Sequence, residues 1–353
     1  MLRPYVYAAP NPWFRAAHPN LMGNSTGNGD GRLPLEVLDR RFPEVIDVPP
    51  PPPPPLRRPL WPALTLFILT LGMTLAAGAM FAMSYASDSA RSPGDESLFT
   101  LPLLMIQHPS LLLLGVPFAS TLLGFLMAHE MGHYLACKYY GIDCSYPFFL
   151  PSPFLFGTFG AVIKIRAPIT TRRALFDIGI AGPILGFIVA VPLLAYGIAI
   201  SKVVPGAQDD SGLSFGVPPL MQFFAALFHP GVDPYSLLLH PVARAAWFGL
   251  LATALNLLPV WQLDGGHIVY SLTPERHQRI SLAVSLLLVC LGVLSWYGWA
   301  FWGIVLLVLS LRLRHPPLYD RWQPLDPSRR VLAVLALVML LLCFTLMPTN
   351  NPW

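Results

Sequence analysis

Charge is what this sequence has least of. Only 11% of its 353 residues are Asp, Glu, Lys or Arg, against roughly 25% in ordinary soluble domains. That deficit excludes a water-surrounded globular protein of this length, whose surface needs those groups. Cysteine is scarce too: Cys137, Cys144, Cys290 and Cys343 have no spacing of a metal knuckle or disulfide framework. All four are expected as free thiols. The 22 basic residues scarcely outnumber the 18 acidic ones, and their scatter through short loops excludes a nucleic-acid partner. The opening segment lacks the charged start and apolar block of a signal peptide. The first apolar segment is therefore expected to serve as its own membrane-targeting signal.

Long apolar runs take the place of charge. Hydrophobic residues make up 54% of the chain, and a helix crosses a bilayer with about 20 consecutive apolar residues. Such runs fall near 60–84, 110–138, 174–200, 244–262, 279–297 and 330–348. A shorter run near 299–312 either spans with its flanks or re-enters. The expected fold is an all-α polytopic membrane protein of about six to seven transmembrane helices, with the lipid bilayer as its surroundings. Four regions follow. Residues 1–59 form a Pro-rich tail, 60–104 the first transmembrane helix and an external loop, 105–275 the core, and 276–353 the C-terminal helices. The tail ends in the run Pro49–Pro55, which is read as a disordered tail with a stiff spacer or as a ligand for a proline-binding module.

Basic residues orient membrane helices. One set of loops holds Arg57, Arg58, Lys138, Lys164, Arg166, Arg172, Arg173 and most of the later arginines. The opposite set, 85–109 and 201–243, holds Arg91 and Lys202 against six acidic residues. The bias predicts a cytoplasmic N-terminus and an external C-terminus.

Within the second apolar run stands His129-Glu130-Met131-Gly132-His133. Histidines four apart project from one helix face, which lets both rings reach one tetrahedral zinc. Glu130 beside them can hold a zinc-bound water and take its proton. The alternative is an interfacial polar patch capping the helix end near Lys138. Ionisable residues inside a spanning segment are costly and mostly functional, which favours the metal reading. A third ligand must come from elsewhere. Asp264 is the only acidic residue between Asp233 and Glu275, it ends an apolar helix, and the charge bias puts it at the depth of the two histidines.

His129-Glu130-x-x-His133 followed by Asn256-x-x-Pro259-x-x-x-Leu263-Asp264-Gly265 resembles the site-2 protease family of intramembrane zinc metalloproteases. The stretches Gly157-Thr158-Phe159-Gly160-Ala161 and Phe176 to Pro183 also resemble that family's core, and the resemblance covers about 105–275. It implies one zinc per chain on His129, His133 and Asp264, with Glu130 as catalytic base. It further implies Asn256 as a substrate or oxyanion contact. A short membrane-re-entrant β-hairpin is implied beside the zinc, its strand around Gly157, Gly160, Ala161 and Val162 clamping an extended substrate. The alternative for that stretch is an amphipathic interfacial loop. The implied activity is regulated proteolysis within transmembrane segments. Its implied partner is a single-span membrane protein such as a membrane-held transcription regulator or anti-sigma factor.

Two rivals are weaker. A metal transporter would need polar residues along a pathway and often an internal repeat, whereas one cluster and no repeat are present. A catalytically dead scaffold would have lost Glu130 or a ligand. Other expectations are local. Small residues at Gly124, Ala128, Gly132 and Ala136, and at Gly182, Gly186 and Ala190, should let helices approach closely. Asp177 should serve a helix start; His267, three residues past Asp264, either contributes at the site or faces interfacial water, and the second is expected, so it stays off the ligand list. His108, His229, His240 and His315 should lie in loops without ligand spacing.

Overall fold

The computed structural model describes residues 60–87, 107–154, 156–204, 215–313, 315–320 and 324–349. The tail at 1–59 and most of the 85–109 loop lie outside the described residues. Helix α1 runs over Trp61–Ala86, and a 3-10 stretch at Pro109–Gly115 leads into α2 over Val116–Tyr139. Strands β1 (Phe148–Pro151) and β2 (Thr158–Val162) form an antiparallel hairpin, with Phe148 opposite Val162 and Leu150 opposite Gly160. Helix α3 covers Arg172–Ala199, and the Thr171 side-chain oxygen caps it by accepting from the Ala174 N–H at 3.3 Å. A second small pair joins β3 (Lys202–Val203) to β4 (Leu237–Leu238), with α4 (Pro219–Phe228) between them. Then follow α5 (Pro241–Leu257), α6 (Asp264–Leu272), α7 (Pro274–Leu294), α8 (Tyr297–Arg312) and α9 (Pro327–Cys343).

Among the described residues, four helical stretches are long and apolar enough to cross a membrane: α1, Pro109–Tyr139, α3 and α7. Their outer faces carry Leu64, Ile68, Ile188, Leu287 and Leu294, each more than half exposed. Such a belt would be a liability in water and is the expected lipid-facing surface of a membrane protein. Of the six or seven expected spans, the one at 244–262 corresponds to α5, which stops at Leu257. Pro259 explains the early stop, because the residue before a proline is pushed out of helical geometry; Leu258 is extended at φ −56°, ψ 131°. α5 and α9 have 17 residues each and α8 has 16, about 24–26 Å at 1.5 Å per residue. The segment 201–243, expected as a plain loop, contains the short apolar helix α4.

The core forms where α2 meets α3 and α5, around Phe118, Phe125, Leu194 and Trp247. The indole of Trp247 is buried and donates to the Gly216 carbonyl at 2.7 Å, so its one polar atom is satisfied. Asp177 does not serve a helix start. It lies past the first turn of α3 and accepts from Arg329 of α9 at 2.8 Å and from the Tyr140 hydroxyl. Arg329 also donates to Asp326 at 2.6 Å. The network fastens α9 to the ends of α2 and α3. All four cysteines are free thiols, as expected.

Candidate metal centre

An apolar helix accommodates two imidazoles only if its neighbour leaves room. His129 and His133 of α2 are both buried, and α3 meets them with Gly182, where any Cβ would overlap the His133 ring. One turn earlier, the Ile178 carbonyl accepts from His133 Nδ1 at 2.7 Å. A carbonyl only accepts, so Nδ1 carries the proton and Nε2 points inward as a lone pair. Such an outer hydrogen bond fixes ring orientation and tautomer at metal sites.

The third side chain arrives from the turn between α5 and α6. Trp261 in that turn has φ 51°, a left-handed conformation that is strained for a bulky residue. Two bonds from α7 hold it: Ser281 Oγ accepts from the Trp261 N–H at 3.1 Å, and His277 Nε2 meets the Trp261 carbonyl at 3.0 Å. The glycines after Asp264 are required by close approach. A Cβ at Gly265 would strike the Leu257 carbonyl, and one at Gly266 would strike the carbonyls of Val260 and Trp261. With those atoms absent, α6 begins directly on the end of α5 and presents Asp264.

The three side chains converge. Asp264 Oδ2 lies 3.3 Å from His129 Nε2 and 3.4 Å from His133 Nε2, and the two Nε2 atoms are 3.2 Å apart. An ion with tetrahedral bonds of about 2.0–2.1 Å separates its ligand atoms by roughly 3.3 Å, so the spacing fits zinc. Asp264 Oδ2 is buried without a hydrogen bond, and acceptor atoms converging this way need a cation between them. Among the described residues, these three form the one group of His, Cys, Asp or Glu placed to share an ion.

A cavity of about 240 Å³ opens beside the triad. Glu130, Ala161, Val162 and Asn256 line it, and Asn256 Nδ2 stands 3.2 Å from His129 Nε2. Gly160 borders a neighbouring apolar cavity instead. Gly157, expected in the strand, sits in the turn before β2 at φ 74° and packs on the backbone of Met73 and Thr74. His267 departs from expectation as well: it lines the cavity and contacts His315 Nε2 through Nδ1 at 2.9 Å. Residues 262 and 178 were not singled out from the sequence, yet Gln262 lines the cavity and Ile178 aims His133. The position of His267 three residues past Asp264, on the same helix face, was the available signal.

The sequence profile of peptidase family M50 matches residues 117–295. Similar curated proteins include the probable zinc metalloprotease EGY1, chloroplastic, of Arabidopsis thaliana. It is 29% identical over 298 residues, covering 81% of this chain and 52% of that protein. EGY1 of Oryza sativa subsp. japonica is 31% identical over 211 residues, 58% of this chain and 36% of the relative. EGY2 of Arabidopsis thaliana is 30% identical over 235 residues, 65% of this chain and 41% of the relative. The chain spans about half the length of these relatives or less. The family profile covers half of the chain, including both histidines, Glu130, Asn256 and Asp264, and the chain belongs to peptidase family M50.

Proposed function

We propose that this chain is an intramembrane zinc metalloprotease that hydrolyses peptide bonds in transmembrane segments of other membrane proteins. The observation that carries this reading is the convergence of His129, His133 and Asp264 beside Glu130 on one cavity. His129 and His133 would hold zinc through Nε2, and Asp264 through its carboxylate. Bound there, zinc lowers the pKa of a water toward about 7 and polarises a carbonyl.

The chain's own groups do the rest. Glu130 takes the proton of the attacking water and returns one to the leaving amine, so one water is consumed as the C–N bond breaks and a C–O bond forms. The Asn256 amide donates toward the carbonyl oxygen as charge builds on it. A helical substrate hides its amides in i→i−4 bonds and must unwind first. The hairpin strand around Gly160, Ala161 and Val162 provides an edge for the unwound stretch, with Gly157 setting its turn. The basic-loop bias supports a cytoplasmic N-terminus and a site toward the cytoplasmic side, with the hairpin re-entering the membrane and six or seven segments crossing it. The substrate is a single-span membrane protein of the regulator or anti-sigma-factor kind, and the chemistry that cuts it belongs to the core region 105–275.

Zinc content and activity separate in the Glu130→Gln variant, because the base is not a ligand. About one zinc per chain should remain, measured by elemental mass spectrometry, while cleavage of a single-span peptide falls by at least about 10²-fold. Undiminished cleavage would sink the assignment.

A further inference from the structure

Beside the metal cavity lies a second one of about 220 Å³ with an opposite character. Its walls are Leu122 and Leu126 of α2 and Phe248, Leu251 and Leu255 of α5, and Thr158, Phe159 and Gly160 of β2 form its rim. Among the described residues, no charged one lines it. The one hydroxyl on the rim is already engaged: Thr158 Oγ1 donates to the Leu150 carbonyl at 2.9 Å and accepts from the Gly160 N–H at 3.0 Å. A polar side chain entering this space would therefore find no free side-chain partner and would lose much of its hydration. An apolar cavity of about 150 Å³ suffices to hold benzene, so this one has room for a large aliphatic or aromatic side chain.

The two cavities share strand β2. Thr158 to Gly160 border the apolar one, whereas Ala161 and Val162 border the metal one together with Ile163. β1 covers one edge of β2, and no strand pairs with its other edge among the described residues. A peptide extended along β2 would pass both cavities, at about 3.3 Å per residue. Phe159 and Val162, one on each cavity, are three residues apart, roughly 10 Å along such a strand.

We propose that the apolar cavity is the side-chain specificity pocket of the protease. It accepts one Leu, Ile, Met or Phe of the substrate strand at a fixed offset of about three residues from the bond cut at the metal site. This rests on the proteolytic reading above. It goes beyond it in stating which substrate side chain is selected and by which residues.

The test uses the full chain with zinc and a library of single-span peptides randomised over a short window, with cut sites mapped by mass spectrometry. Wild type should enrich large apolar residues at one fixed position, and Leu→Ala at that position should lower kcat/KM by on the order of 10- to 50-fold. Ala252 also lines the cavity, and Ala252→Trp, which fills it, should abolish the enrichment while zinc content stays near one per chain. Leu251→Ala, which enlarges it, should shift the preference toward Phe and Trp; it serves if the filled variant fails to fold. Unchanged enrichment in either folded variant, or none at any position in wild type, overturns the pocket and leaves proteolysis standing.

A binding arm is independent of turnover. Zinc-loaded Glu130→Gln is mixed with peptides carrying a benzoyl-phenylalanine at successive positions and irradiated. Cross-links from one position to Leu122, Leu126 or Leu251 support the pocket even if wild type cuts nothing, an outcome that would sink the proteolytic reading alone. Cross-links confined elsewhere, or abolished only by lipid displacing the peptide, overturn it.

Discussion

Two groups of histidines meet at the metal cavity, the second through His267 alone, and they behave oppositely. In the first, His129 and His133 face the Asp264 carboxylate at 3.3 and 3.4 Å, and the inward Nε2 of His133 is a lone pair set by the Ile178 carbonyl. In the second, His267 from α6, His277 from α7 and His315 from the segment after α8 gather with no carboxylate hydrogen-bonded to them among the described residues. Both ring nitrogens of His315, together with His267 Nδ1 and His277 Nε2, are engaged by one another and by backbone. His315 Nδ1 donates to the Pro316 carbonyl at 3.0 Å, so its Nε2 accepts from His267 Nδ1 at 2.9 Å. The His315 ring also lies stacked on Tyr270 at 3.9 Å. What separates a metal centre from a structural cluster is therefore whether acceptor atoms converge unanswered, and not how many imidazoles are near.

Removing one member from each group gives the largest contrast. His133→Ala leaves two donors and should lower zinc affinity by more than about 100-fold, since even outer-shell partners are worth 10- to 100-fold. His315→Phe, which keeps the stack on Tyr270, should retain about one zinc per chain. Elemental analysis of the purified variants decides it, and zinc loss in His315→Phe with zinc retained in His133→Ala would reverse the comparison. Asp264→Asn belongs with the first group and should weaken zinc binding too.

A smaller effect is expected where the second group supports the first. His277 and Ser281 hold the strained Trp261 turn that leads into Asp264. His277→Leu combined with Ser281→Ala removes two hydrogen bonds worth about 1 kcal/mol each and leaves the metal donors in place. Thermal unfolding should report a loss of roughly 2 kcal/mol, with cleavage falling more than zinc content because Asn256 and Asp264 flank the turn.

The first group was legible in the sequence because its information is local. Histidines at i and i+4 meet on any helix, and an acidic residue alone at the end of an apolar run needs a reason to be there. Pro259 likewise announced the end of α5, although the apolar run itself continued to 262. The second group was not legible, because His267 and His315 meet across 48 positions, and the Arg329–Asp177 pair across 152. No periodicity carries such contacts. The glycine spacing also said less than its pattern promised. Gly182 admits the His133 ring, whereas a Cβ at Gly124 would meet open space. A stripe of small residues marks where helices can approach and leaves open where they do.

The smallest expected effect is a pH dependence of the second group. His315 lies in the loop after α8, where burial pushes its pKa down to about 4. Its ring faces His267, His277 and Tyr270 and bonds to the Pro316 carbonyl, so among the described residues no carboxylate bonds to it to favour the charged form. In the unfolded chain the same ring titrates near 6.5. Between pH 6.5 and 4 the unfolded state takes a proton that the folded state refuses, so acidification through that window lowers stability and raising the pH restores it. The slope for one group cannot exceed about 1.4 kcal/mol per pH unit, and His315 falls below that ceiling because part of its ring meets water. Thermal unfolding of wild type and His315→Phe from pH 7 to 4 reads the contribution of His315 together with its contact to His267, since the metal ligands are common to both. The wild-type curve should fall more steeply, with the two converging near pH 7 apart from a constant offset for the lost His267 contact. Parallel curves across the window would show that His315 takes up its proton in the fold as readily as in water.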